Sequence, residues 1–155
     1  MIPGIRGTTM KKAMKIIIFT VLVLSLVSCS ARKFDITVES PLEFYTPAIS
    51  SVPGFPLRVI LPDEGYYGEY AFKWRTDSGK FIDWDTEGRI VPLGRQAVLN
   101  DSEVFWTPFE GSESYADSAK LEIEVVRLEG GNVDARLKFN IEMQDDGLYI
   151  LKPGK

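Results

Sequence analysis

From Phe34 onward the chain alternates apolar and polar residues in short runs that stop at proline, glycine or aspartate. This is the period-two signature of half-buried strands. Phe34-Asp35-Ile36-Thr37-Val38-Glu39 is the first such run, and a loop containing Pro41, Pro47, Pro53 and Pro56 follows it. Residues 57–61 stop at Pro62-Asp63-Glu64-Gly65; residues 70–75 end at Asp77-Ser78-Gly79, and 80–84 read as their hairpin partner. Shorter runs lie at 89–91, 96–99 and 104–106, the last halted by Pro108. The two clearest, 121–125 and 135–141, flank Gly130-Gly131-Asn132, a hairpin turn. Residues 148–151 read as an extra edge strand or a tail. No stretch after Val27 sustains a capped helical period, so the pattern predicts an all-β chain of about seven to nine strands at sandwich spacing.

The first 28 residues follow a different rule. Lys11, Lys12 and Lys15 precede an apolar run over 16–27, and small residues close it: the order of a secretory signal. The run is twelve residues long, whereas a membrane-spanning helix needs roughly 20. An uncleaved anchor and a buried apolar helix are the other readings of such a run, and the lysine-first order favours export. Leu26-Val27-Ser28-Cys29 resembles the bacterial lipobox, and Cys29 is the only cysteine in the chain. The resemblance implies cleavage between Ser28 and Cys29, a diacylglycerol on the Cys29 sulfur and often an acylated new amine, giving the two or so lipid signals that stable anchoring takes. It implies a bacterial envelope lipoprotein facing away from the cytoplasm, on the outer membrane if the cell has two. The expected organisation is therefore a signal peptide at 1–28, a lipid-anchored tether at 29–33 and one β domain at 34–155.

Charge and composition narrow the function. Removing residues 1–28 takes away four basic residues (Arg6, Lys11, Lys12, Lys15) and no acidic one, so the 127 that remain carry 14 basic against 22 acidic residues, a net of −8. That balance argues against a nucleic-acid partner and against broad attraction to anionic headgroups. The sequence has no histidine, which removes serine–histidine and cysteine–histidine catalysis and histidine-ligated zinc. No cofactor motif is present.

Phe72-Lys73-Trp74, then Gly79-Lys80-Phe81, then Val104-Phe105-Trp106-Thr107-Pro108 and two long alternating strands resemble bacterial immunoglobulin-like and PKD-type domains, most clearly over 57–143. The resemblance implies an immunoglobulin-like β-sandwich. Trp74, between Lys73 and Arg75, and Trp106, in phase with Val104, are the expected core aromatics filling the gap of about 10 Å between sheets. Asp145 to Tyr149 mimics the tyrosine corner of such domains, but the chain that follows is too short for the strand this motif introduces.

Three groups are candidate sites. Tyr66 and Tyr67, between Gly65 and Gly68, and Trp84 are possible contacts for a ligand or partner if they cluster outside the core; the alternative is that the tyrosines fold back over the core edge. Asp83, Asp85, Glu87 and Gly88 have the first half of a calcium-loop spacing, but the twelfth position is Gly94; a solvated acidic loop is the simpler reading. Glu122 and Glu124 share a strand face with Lys120, and Arg136 and Lys138 on the partner strand complete a charged array rather than a glycosidase pair. The reading that follows is a non-enzymatic, lipid-anchored module contacting an envelope protein or glycan. The alternatives are a carbohydrate-binding module using Tyr66, Tyr67, Trp84 and Tyr115, or an inhibitor or sensor lipoprotein presenting a loop over 108–118. Mass spectrometry of the protein taken from membranes should find Cys29 as the first residue, carrying a diacylglyceryl thioether. Cys29→Ala should retain the whole leader; an unmodified sulfur on an uncut chain would refute the anchor.

Overall fold

A strand that alternates in this way has one apolar face, and two sheets of such strands hide those faces by closing on each other. The computed structural model describes residues 33–51, 53–111 and 114–153; the signal segment and the Cys29 motif lie outside the described residues. Twelve strands are present among them: β1 (Thr37–Glu39), β2 (Phe55–Ile60), β3 (Tyr70–Thr76), β4 (Lys80–Trp84), β5 (Ile90–Gly94), β6 (Gln96–Leu99), β7 (Glu103–Thr107), β8 (Phe109–Gly111), β9 (Ser114–Tyr115), β10 (Ser118–Arg127), β11 (Val133–Met143) and β12 (Tyr149–Pro153). A 3-10 turn of helix at Glu64–Glu69 is the one helical element there. The first sheet runs β1-β2-β7-β4-β5 and the second β12-β11-β10-β3-β6, all pairs antiparallel, with β8 and β9 as a separate small hairpin.

The core lies between the two large sheets. Phe55, Leu57, Phe81, Val104 and Trp106 enter from the first; Phe72, Trp74, Leu121, Ile123, Phe139 and Ile141 enter from the second. Trp74 and Trp106 are both fully buried. Trp74 meets Phe81 across the gap with ring centroids 6.1 Å apart, and Trp106 meets Tyr149 edge-on at 5.6 Å. The indole N–H of Trp74 has no hydrogen-bond partner among the described residues, so its place rests on ring packing.

Strands β3 and β4 are not the hairpin that their adjacency suggests. Strand β3 pairs with β10 and β6, whereas β4 pairs with β7 and β5. Both strands bear aromatic faces, and placing them in opposite sheets buries Trp74 against Phe81 instead of setting the rings side by side at one surface. The chain crosses between sheets at Asp77-Ser78-Gly79. There Gly79 has φ +68°, and a Cβ on it would fall 2.5 Å from the Thr107 carbonyl oxygen and 2.7 Å from the Trp106 ring. The bare backbone lets Trp106 lie beneath the turn and donate from its indole N–H to the Ser78 carbonyl (3.0 Å).

One further departure lies between β7 and β10, and the edge strand expected near residues 148–151 is present. Residues 108–118, expected as a loop, contain the β8–β9 hairpin. Residues 149–153 form the edge strand of the second sheet, and the buried Tyr149 hydroxyl donates to the Ala116 carbonyl 33 residues upstream (2.8 Å). That reach is too long for a tyrosine corner, whose bond is local. At the opposite end, Phe34 donates its amide to the Asp134 carbonyl (3.4 Å) and β1 pairs with β2. Phe34 and β1 are therefore part of the β domain. The Asp134 carboxylate, itself buried, accepts from the Tyr70 hydroxyl (2.9 Å) and the Arg127 Nε (2.9 Å), locking the start of β11 to β3 and β10.

Gly79→Ala should lower stability by more than about 2 kcal/mol, because the steric clash adds to left-handed strain worth about 1–3 kcal/mol. Gly88→Ala, also at positive φ but with nothing within 4 Å, should lose only the strain of about 1 kcal/mol. Urea unfolding of the two variants separates the contributions, and equal losses would remove the role given to the Trp106 contact.

Candidate functional site

The three aromatics singled out in the sequence do not form one patch. Tyr66 packs against Phe34 (5.6 Å between centroids) and Tyr70 (6.0 Å), while Tyr67 packs against Phe72 (6.3 Å). The Tyr67 hydroxyl donates to the Val59 carbonyl (3.1 Å) and accepts from the Leu61 amide (3.2 Å). Both tyrosines therefore close one end of the core. Trp84 lies on the outer face of the first sheet, edge-to-face with Phe105 at 6.3 Å and opposite Ile90 in the β4–β5 ladder.

The acidic loop that leaves β4 is turned inward on its own arginine. Asp85 accepts from the amides of Glu87 (2.9 Å) and Arg89 (2.8 Å) through one oxygen and from the Arg89 Nε (2.7 Å) through the other; Glu87 pairs with the same guanidinium (3.0 Å). The Arg89 amide and guanidinium hold the Asp85 carboxyl below its ordinary value. Asp83 accepts from the Trp84 amide (2.8 Å). These bonds shape a tight β4–β5 turn, and among the described residues no three acidic or cysteine side chains are grouped to hold a metal ion. Glu122 and Glu124 both bind Arg136, the first at 3.2 Å. Both carboxylates are thus engaged by one guanidinium within a charged array on the sheet face.

A concave surface lies instead where the sequence placed no single motif. Strands β4 and β7 carry apolar residues on both faces: Phe81, Val104 and Trp106 point into the core, so Ile82, Trp84 and Phe105 are left on the outer face. Strand β5 adds Ile90 and Pro92 beside them. A groove of about 380 Å³ runs over this face, lined by Pro47, Ile82, Ile90, Pro92, Phe109 and Tyr115. Phe109 and Tyr115 pack edge-to-face at 5.7 Å, with the Lys80 ammonium 5.1 Å from the Phe109 centroid. A second groove of about 490 Å³ shares Pro47 and Tyr115 and extends to Met143 and Tyr149. Ile90 is 50% exposed, Tyr115 52% and Trp84 38%. The sequence did hold a signal for this face: Val104-Phe105-Trp106 and Phe81-Ile82 break strict alternation, so one face of each strand must remain apolar and unburied by the core. Comparison of the chain with protein-family models, curated proteins and solved structures finds no match in any of the three.

Tyr45 lines the first of these grooves, stacked on Phe55 at 5.9 Å and bridged by its backbone to Tyr149, which lines the second. Burial, followed by the charges of Tyr115 and Tyr149, pushes its phenol from 10.0 up to about 12; burial also raises Tyr70 and Tyr149. A folded-state value above the unfolded one favours the protonated phenol on folding, so this stabilisation is complete below about pH 10 and is lost as pH rises towards about 12. Urea midpoints should fall steeply across that window, and Tyr45→Phe should flatten the fall while leaving the midpoint near pH 8 within about 1 kcal/mol of the parent. An unchanged slope would show that Tyr45 does not titrate with unfolding.

Proposed function

We propose that this protein is a non-enzymatic, lipid-anchored envelope module that holds another envelope protein against the outer face of its first sheet. The observation that carries the reading is the groove between Pro47, Ile90 and Tyr115, where aromatic and branched apolar side chains stand exposed in one concave strip. Contiguous exposed apolar surface rimmed by polar residues marks interaction sites in soluble domains. Aromatic side chains are enriched at the centres of protein interfaces. The strip suits an apolar segment of a partner, with Lys80 at its rim to meet a carboxylate.

The strand orders support an immunoglobulin-like reading of the sandwich. In sheet order, β1, β2, β7 and β4 take the places of strands A, B, E and D, while β11, β10 and β3 take those of G, F and C. Trp74 sits on β3 opposite Ile123 of β10, the position of the core tryptophan on strand C. Strands β5 and β6 then lie between D and E in the chain, β5 pairing with β4 in the first sheet and β6 with β3 in the second, and β5 supplies Ile90 to the groove.

The anchor sets where the contact happens. From Cys29 to Lys33 the chain reaches less than about 20 Å even when extended, and Phe34 is already bonded to the domain. Acyl chains on Cys29 would therefore hold the sandwich close to the membrane and raise its effective concentration towards a neighbouring envelope protein. Sugar stacking on Tyr115 and Trp84 is the rival use of the same face.

A photo-crosslinking residue placed at Ile90 or Tyr115 in intact cells should give one dominant protein adduct, absent when the crosslinker sits at Lys120 on the other sheet. The adduct should be lost on Tyr115→Ala and reduced on Cys29→Ala. Equal adducts from both sheets, or adducts to glycan alone, would overturn the reading.

A further inference from the structure

The outer face of the second sheet has a chemistry of its own. Six cations stand on it, Lys73, Arg75, Lys120, Arg136, Lys138 and Lys152, among the carboxylates of Glu122, Glu124 and Glu142. Arg136 is bound to Glu122 and Glu124, and Lys152 to Glu142 at 3.6 Å. Lys73, Arg75, Lys120 and Lys138 have no ion-pair partner among the described residues. An excess of positive charge is thus gathered on one face of a chain whose formal net charge is −4.

The β-ladder fixes where these cations stand. Arg75, Glu122 and Lys138 lie opposite one another in one row across β3, β10 and β11, and Lys120 lies opposite Asn140 in the next row. Neighbouring strands are about 4.8 Å apart, and same-face neighbours along a strand about 6.8 Å apart, so the free cations form a lattice rather than a single point. A groove of about 480 Å³ crosses the strands between Arg75, Lys120 and Lys138. Its two carboxylates are already engaged: Glu122 by Arg136, and Asp77 by the Lys120 amide (2.8 Å) and the Ser78 hydroxyl (3.2 Å).

We infer that this face binds an extended, hydrophilic polyanion, a glycan chain bearing carboxylate groups. A protein partner needs desolvated apolar or aromatic anchors, and the apolar residues lining this groove, Leu121 and Phe139, point into the core. Single-stranded nucleic acid needs exposed rings on which bases stack, and the outer face of this sheet carries none among the described residues. An anionic bilayer is disfavoured by the end of the sandwich at which the chain enters. Asp35, Asp63, Glu64, Glu69 and Glu129 are exposed there, and they repel anionic headgroups. A charged sugar polymer needs only spaced cations and hydrogen-bond donors on an open, wet surface, and Lys120, Lys138, Arg75 and Asn140 supply both. This inference concerns the opposite face from the protein contact proposed above and does not depend on it.

The test uses the full chain in neutral detergent micelles, titrated into fluorescein-labelled polygalacturonate and followed by anisotropy. Binding is expected at low ionic strength and should weaken about tenfold as salt approaches physiological levels, where exposed charges are screened over about 8 Å. Lys120→Gln/Lys138→Gln should weaken binding about tenfold at low salt with an unchanged urea midpoint, and Arg75→Gln alone should act in the same direction. Ile90→Asp, in the other groove, should leave polygalacturonate binding unchanged. Undiminished binding by the double variant would overturn the inference. So would tighter binding to phosphatidylglycerol vesicles, to a poly-glutamate peptide or to single-stranded DNA than to polygalacturonate.

Discussion

Trp106 lying beneath a glycine turn is the contact on which the arrangement of this domain depends. The chain leaves β3 in one sheet and enters β4 in the other through three residues, and only a backbone without a Cβ at position 79 fits between the Thr107 carbonyl and the indole. With that crossing in place, Trp74 and Phe81 face each other across the core. Glu110 ties the small β8–β9 hairpin to the same turn: it accepts from the Gly79 amide (2.8 Å) and pairs with Arg95 (2.8 Å). One close approach therefore positions the crossing, the centre of the core and one wall of the apolar groove.

The two outer faces differ because the strands differ in what they have left over once the core is filled. In the second sheet, alternation holds over residues 72–76, 119–125 and 135–142, so the outward positions there are lysine, arginine, glutamate and asparagine. Charged outer faces with cross-strand ion pairs keep a sheet soluble and resist unwanted pairing. In the first sheet the central strands have apolar residues in both directions, and the surplus becomes an apolar strip over β4, β5 and β7. A single sandwich thus presents two surfaces of opposite character, suited to partners of different chemistry.

The end of the domain at which the chain enters is held by polar bonds as well as packing. Phe34 joins Tyr66 and Tyr70 in an aromatic cluster and bonds the Asp134 backbone, while the Asp134 carboxylate gathers Tyr70 and Arg127. A buried carboxylate held by one arginine and one phenol fixes geometry as much as it adds stability, since desolvation offsets much of the attraction. Tyr66 and Tyr67 belong to this closure. That is why two adjacent tyrosines in a glycine-flanked turn, which resemble a binding tip in sequence, act as a lid: each has a core ring within packing distance.

Local pattern was enough to mark the nine main strands, the β10–β11 hairpin and the all-β class, because period two and turn residues act within a few positions of each other. It also marked the Lys11-to-Cys29 order, which is a property of the chain itself. What it could not decide was pairing. Whether 80–84 lies beside 70–76 or across from it depends on Trp106 and Thr107, more than twenty residues further on, and neither apolar groove exists until Tyr115 of β9 is brought against the 45–50 segment. Alternation and turning points are local properties, readable from neighbouring residues. Which apolar side chains the core takes and which it leaves outside is settled by packing, since burial is a competition among distant strands for one gap of fixed width.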